Sequence, residues 1–204
     1  MNYLQIDNVR IELTNEQVAE FKKRMQNEVE LSTVKPGKVI ELAGYEFIVL
    51  EQLEDGTAVI LKDLWRDEIE FRDSGNNFDG SNADRLCKEF EEELNKNFEN
   101  NTLVLHSVDL TSDDGLKDYG VVERKVSLLT AEQYRKYVEI LDKHKLDAYW
   151  WLSTPHSTKT HDNDCWIKCV SPSGGINNFS YDCDIGVRPF CIFKSNIFVS
   201  KKGE

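Results

Sequence analysis

Tyr149-Trp150-Trp151-Leu152-Ser153-Thr154-Pro155, with Trp166-Ile167-Lys168-Cys169-Val170 and Gly186-Val187-Arg188-Pro189-Phe190 downstream of it, is the part of the chain whose reading decides the fold. Tyr149 to Leu152 is a short apolar run too brief for a helix, so it reads as a buried strand. Trp166 to Val170 reads as a second. Gly186 to Phe198 reads as a long apolar finish that Pro189 interrupts, because proline has no N–H to give a ladder. Upstream, Val39, Ile40, Leu42, Tyr45, Phe47, Ile48, Val49 and Leu50 form β-rich runs broken at Ala43-Gly44. Asp55-Gly56 then predicts a tight turn before a returning strand from Ala58 to Leu61. Val104 to Val108 and Val121 to Leu129 are further strand candidates.

Helical periodicity is confined to three places. Ser81 or Asn82 caps a helix carrying Leu86, Phe90, Leu94 and Phe98 at intervals of four, with Glu91, Glu92 and Glu93 on its other faces. Thr130 and Gln133 make a capping box ahead of Tyr134, Tyr137, Val138 and Leu141. Near the N-terminus, Thr14 and Gln17 repeat that box before Val18, Phe21, Met25 and Val29, predicting an amphipathic helix of about four turns that ends before Pro36-Gly37. Its apolar stripe serves either its own domain or a second copy of the chain, as a homo-oligomer contact. Few helices among many short strands predict an α+β fold. The expected organisation is an N-terminal helical appendage over residues 1–36 and a domain over 37–204.

The 204 residues are 40% hydrophobic and 30% charged, with 11 Gly and 4 Pro, which suits a globular chain with a real core. No apolar run approaches a membrane span, and the first thirty residues lack a secretory pattern, so the expected site of folding is a cytoplasm. Five cysteines, an odd count, then predict free thiols. Cys165 and Cys169, with His161, Asp162 and Asp164 nearby, raise a zinc site, but structural zinc uses tighter pairs and a second pair. No metal or cofactor is expected.

Charge is distributed unevenly. Residues 1–100 hold 23 acids and 12 bases, a balance of −11, whereas 101–204 hold 14 and 13, a balance of −1. This field repels a phosphate backbone and argues against direct nucleic-acid binding. It suits solubility, or a basic protein partner that an acidic surface at Asp67, Glu68, Glu70, Glu91, Glu92 and Glu93 would engage.

Tyr149-Trp-Trp-Leu-Ser-Thr-Pro155 and Gly186-Val-Arg-Pro-Phe190 resemble two signatures, tryptophan-tryptophan-leucine-arginine-serine-proline and glycine-valine-arginine-proline-alanine, of an uncharacterised domain family found in bacterial and prophage proteins. Gly44 to Leu50, Ala58 to Leu61, Asp109 to Gly120 and Val126 to Thr130 fit that family's order of elements, so the resemblance spans about residues 37 to 195. The family in turn resembles the C-type-lectin-like fold in its formylglycine-generating-enzyme version. That implies an irregular mixed sheet with two helices and a ligand surface on the loops before the last strands, with Trp150, Trp151, Arg188 and Pro189 as framework. Ser153 stands where the family usually has arginine, and Phe190 where it has alanine.

The resemblance does not carry over catalysis. The oxidase's copper-binding cysteines are separated by four residues, those of Cys165-Trp-Ile-Lys-Cys169 by three, and the surrounding segment is unlike. No G-x-S-x-G, H-E-x-x-H, Walker or G-x-G-x-x-G pattern is present either. The chain is therefore expected to be non-enzymatic. The stretch from His156 to Asp184 mixes aromatic anchors with adaptable polar groups, as recognition surfaces do. Its candidate ligand-binding residues are His156, Lys159, His161, Asp162, Asn163, Asp164, Asn178, Tyr181 and Asp182. The expected function is a phage or prophage binding module for a protein or glycan target, in the host cytoplasm or on a virion. The alternative is an intracellular acidic inhibitor of a host defence nuclease or other enzyme.

Overall fold

The computed structural model describes residues 2–6, 9–18, 28–98 and 102–201. It is a mixed α+β protein whose sheets are mostly antiparallel. In chain order the strands are β1 (Asn2–Ile6), β2 (Val9–Leu13), β3 (Glu28–Glu30), β4 (Val39–Leu42), β5 (Tyr45–Gln52), β6 (Thr57–Leu61) and β7 (Arg66–Glu70), then helix α1 (Asn82–Asn95). There follow β8 (His106–Asp109), β9 (Val121–Arg124), β10 (Val126–Ser127), helix α2 (Ala131–Leu141), β11 (Trp150–Pro155), β12 (Trp166–Val170), β13 (Ile176–Ser180), β14 (Asp184–Val187), β15 (Phe190–Phe193) and β16 (Phe198–Lys201).

A seven-stranded sheet has the order β10-β15-β6-β5-β4-β16-β3, and a five-stranded sheet the order β13-β12-β11-β14-β7. Strands β1 and β2 pair as a hairpin, as do β8 and β9 as a separate ribbon. Among the described residues, only β11 and β14 run parallel, meeting at Trp150 and Gly186. The strand expected from Val121 to Leu129 is two, β9 and β10, which belong to different sheets. Val122 pairs with Val108 in the ribbon, whereas Val126 pairs with Cys191 in the large sheet.

The two helices expected after residue 80 start at side-chain caps. Ser81 Oγ accepts from the Asp84 N–H at 3.0 Å, satisfying one of the free donors of the first turn of α1. Thr130 and Gln133 exchange both bonds of the capping box at the start of α2. Helix α1 ends at Asn95, so Phe98 packs from beyond it, edge-on to Phe193 at 5.9 Å. Leu86, Phe90 and Leu94 are buried in one core cluster, and Tyr134, Tyr137 and Leu141 in another.

The N-terminal expectation needs correction. The Thr14–Gln17 capping box forms, with bonds of 2.9 and 3.1 Å, and Asn15 to Val18 are helical. Phe21 and Met25 lie outside the described residues, and with them the proposed oligomer stripe. Val29 is not helical: it sits in β3, opposite Val199 of β16, against the core. A β-branched residue beside an available strand edge gains a ladder and burial there, and this overrides the period of four. Residues 28–30 of the expected appendage are thus part of the seven-stranded sheet, and the hairpin β1–β2 was not legible as such.

The motif residues are interior. Trp150, Trp151 and Arg188 are all buried. Arg188 donates to the Leu61 and Lys62 carbonyls at 2.8 Å and lies 5.2 Å from the centre of the Trp150 ring. Burial pulls its pKa down to about 10. Ser153 is fully buried and its hydroxyl makes no hydrogen bond, while Phe190 packs edge-on to His106 at 5.2 Å. Among the described residues no helix is long and apolar enough to cross a membrane.

Candidate functional site

Three loops meet at the start of β12. The first, Ser74 to Ser81 before α1, is rich in Gly and Asn. It carries Asn76, which is fully buried. Its amide nitrogen donates to the carbonyls of Ser157 and Trp166, both at 2.9 Å, and its amide oxygen accepts from the Tyr119 hydroxyl at 2.7 Å. One side chain thus ties the second loop, Leu110 to Gly120, to the third, His156 to Cys165. A buried amide is stable only with its hydrogen bonds made, so its partners are held in position.

Two carboxylates on the second loop add to the clamp. Asp114 accepts from the hydroxyls of Ser112 and Ser157 at 2.5 and 2.6 Å, and contacts His161 Nδ1 at 3.0 Å. Asp118 accepts from Thr158 and Thr160 at 2.5 and 2.6 Å. These hydroxyl donors hold both carboxyls below the ordinary aspartate range. Ser157, Asp114 and His161 do not form a nucleophile and base, since Ser157 donates to the carboxylate rather than to an imidazole. The geometry rigidifies the loop.

On this frame the candidate residues occupy distinct places. Lys159 and His161 are exposed on a 3-10 turn, Lys159–His161, and exposed Asp162 closes it in left-handed conformation at φ 50°. Asn163 is half-buried and its N–H bonds the Thr158 carbonyl at 3.2 Å. Asp164 is half-buried beside Gly75. His156 is half-buried, its N–H bonded to the Trp166 carbonyl at 2.9 Å, with no hydrogen bond at Nδ1. Tyr181 packs against the core and its N–H bonds the Cys165 carbonyl at 2.9 Å. Asp182 is exposed in the following turn, and Asn178 is exposed on β13 opposite Lys168. The structure therefore gathers Lys159, His161 and Asp162 on one turn and gives Tyr181 and Asn163 chiefly scaffolding contacts.

Trp166 was expected within a buried strand, and β12 is buried from Ile167 to Val170, but Trp166 itself is 44% exposed. It stands opposite Ser180, two residues along from Asn178, which places the indole on the same sheet face as Asn178. An exposed indole on a backbone that Asn76 holds is an apolar contact surface with a polar handle.

The alternative acidic surface lies elsewhere. Asp67, Glu68 and Glu70 are exposed on β7, an outer strand of the five-stranded sheet. On α1, Glu92 is exposed, whereas Glu93 pairs with Lys96 at 2.6 Å and Glu91 with Lys125 at 3.7 Å. The same helix carries Asp84, whose buried side chain accepts from Arg124 at 2.7 Å and Lys88 at 2.8 Å. Burial works against its charge, yet the bonds from Arg124, Lys88 and the Gly80 N–H hold its carboxyl below the usual range. Part of the acidity read from the sequence is thus neutralised inside the molecule.

All five cysteines are free thiols, Cys165 exposed and Cys169 buried. Among the described residues, no group of three His, Cys, Asp or Glu side chains is placed to hold a metal ion. No family model, no curated protein and no solved structure matches the chain.

Sequence reasoning missed Asn76, Asp114, Asp118 and the exposure of Trp166. Nothing in a Gly/Asn loop distinguishes a buried clamp from a turn former. For Trp166 a signal existed: it is the first residue of its strand, just after the polar run Asp162 to Asp164.

Proposed function

We propose that the protein is a non-enzymatic binding module, of phage or prophage type, that recognises a protein or glycan target with the loop surface around Trp166, Lys159, His161 and Asp162. The observation that carries this reading is the clamp of Asn76, Asp114 and Asp118, in which Asn76 holds the backbone of a residue whose indole is exposed. Loops fixed in advance lose little entropy on binding, and an aromatic anchor among polar groups supplies contact area. The accompanying fold reading is the C-type-lectin-like arrangement. It is supported by the buried Trp150, Trp151 and Arg188 at the motif positions, and by β16 returning between β3 and β4.

The acidic inhibitor is the second reading, favoured by the exposed carboxylates of Asp67, Glu68 and Glu70 on one strand. Affinity purification with the intact protein as bait, from lysate and from envelope fractions, tests the two. A target retained through a high-salt wash and lost with the Trp166→Ala bait supports the loop surface, because an apolar contact is not screened. A protein target that salt releases, and that Trp166→Ala still captures, supports the acidic surface and overturns the loop reading.

A further inference from the structure

Strand β13, Ile176–Ser180, forms one edge of the five-stranded sheet. Its register with β12 is unbroken over five pairs, from Trp166–Ser180 to Val170–Ile176. The bonds flanking those pairs give its orientation. Tyr181 N–H bonds the directly opposite Cys165 carbonyl at 2.9 Å, and Ser171 N–H bonds the directly opposite Gly175 carbonyl at 2.9 Å. Hydrogen-bonded pairs alternate along an antiparallel ladder, so Asn177 and Phe179 also bond toward β12. Ile176, Asn178 and Ser180 therefore turn their N–H and C=O groups outward. Among the described residues no strand pairs with that edge; only the Ser180 carbonyl is used, by the Cys183 N–H at 3.0 Å.

Edge strands of single-chain proteins are normally protected by charge, proline, a bulge or a cover. Strand β13 has no charge, no proline and no bulge. Residues 169–181 contain no Asp, Glu, Lys or Arg, the longest such run in a chain that is 30% charged. Two molecules of net charge −12 repel each other over most approaches. Along β13 an extended backbone edge can meet its copy without carboxylates on the paired strands.

We infer that β13 is a homodimer interface, in which two copies pair antiparallel about a two-fold axis at Asn178 and join their five-stranded sheets into one. The pairing is self-complementary: Asn178 faces its own copy and exchanges both backbone bonds with it, and each Ser180 N–H meets the Ile176 carbonyl of the other chain. Directly opposed residues point to the same face, so the two Trp166 surfaces lie side by side on one face of the joined sheet. A multivalent target would then engage both at once, with a gain in avidity and no new contact.

The test is the mass of the intact chain in solution by sedimentation equilibrium, combined with residue-resolved amide exchange. The inference expects twice the chain mass, a dimer strengthened by salt that screens the net charge, and concentration-dependent protection of the Asn178 and Ser180 amides. Asn178→Lys, which opposes like charges across the axis, and Asn178→Pro, which removes the outward donor, are both expected to give monomers with unchanged circular dichroism. A wild-type monomer at all concentrations overturns the inference. So does a dimer that persists in the Asn178→Lys protein, or whose outward amides on β13 stay unprotected, since either places the contact elsewhere. Protection of those amides only when a different protein is added also overturns it, in favour of strand addition by that partner.

Discussion

Asn76 donates a hydrogen bond at 2.9 Å to the carbonyl of Trp166, joining a fully buried amide to a residue whose indole stands 44% exposed. The interior fixes the backbone, and the side chain on that backbone meets solvent. This division between a rigid support and a presented group is how folds carry recognition surfaces on loops.

Replacing Asn76 by Ala removes the donor to two carbonyls and the acceptor for Tyr119 in a site closed to water. The expected loss is about 3 kcal/mol of stability, read from urea unfolding. Tyr119→Phe, which removes one bond of the three, costs about 1 kcal/mol. If Asn76→Ala unfolds with the wild-type midpoint, the clamp does not hold the loops.

The buried carboxylate of Asp84 depends on Arg124. Arg124→Met leaves Asp84 with Lys88 and the Gly80 N–H alone, and a buried charge that loses its main partner costs about 3–5 kcal/mol. In a double-mutant cycle, adding Asp84→Asn to Arg124→Met recovers part of the loss. Equal and additive losses contradict the pairing.

Acid should loosen the loop surface in a defined direction. The folded-state pKa values of Asp114 and Asp118 lie below the ordinary value of 3.8. A depressed carboxyl pKa contributes stability that is present above the unfolded value and lost as pH falls through the folded one. Amide protection of residues 157–161 is therefore expected to stay level from neutral pH down to about 4 and to decline below it. Asp114→Asn weakens protection at neutral pH and flattens its decline in acid; an unchanged profile would remove Asp114 from the clamp.

Thiol reactivity reports the packing independently. Burial pushes the Cys169 thiol up to about 12 and raises those of Cys87 and Cys191 as well, while Cys165 is exposed. Alkylation near neutral pH is expected to modify Cys165 first, then half-buried Cys183, with Cys87, Cys169 and Cys191 reacting only on unfolding. Mass mapping that finds Cys87 or Cys191 modified early would contradict the core described here.

Much of the scaffold is legible because its signals are local. The caps at Ser81 and Thr130, the period of Leu86-Phe90-Leu94 and the β-rich runs through Val39 and Val49 act over a few residues, and the structure follows them. What fails depends on distant partners. Val29 becomes a strand because β16, nearly the whole chain away, supplies an edge. Arg66 to Glu70, mostly exposed and acidic, pairs as β7 because β14 lies beside it, and its composition carries no strand signal. The same limit applies to the site. Lys159, His161 and Asp162 are visible as a polar loop, whereas Asn76 acquires its role only when three loops converge.

The most direct test of the recognition surface compares target binding by three baits: the wild type, a Trp166→Ala/Lys159→Ala/His161→Ala variant, and an Asp67→Lys/Glu68→Lys/Glu70→Lys variant. Target capture is quantified by mass spectrometry, and folding is verified by circular dichroism. The loop reading predicts loss of the target with the first variant and retention with the second. Retention with the loop variant and loss on charge reversal would contradict it and move the interface to the acidic strand β7.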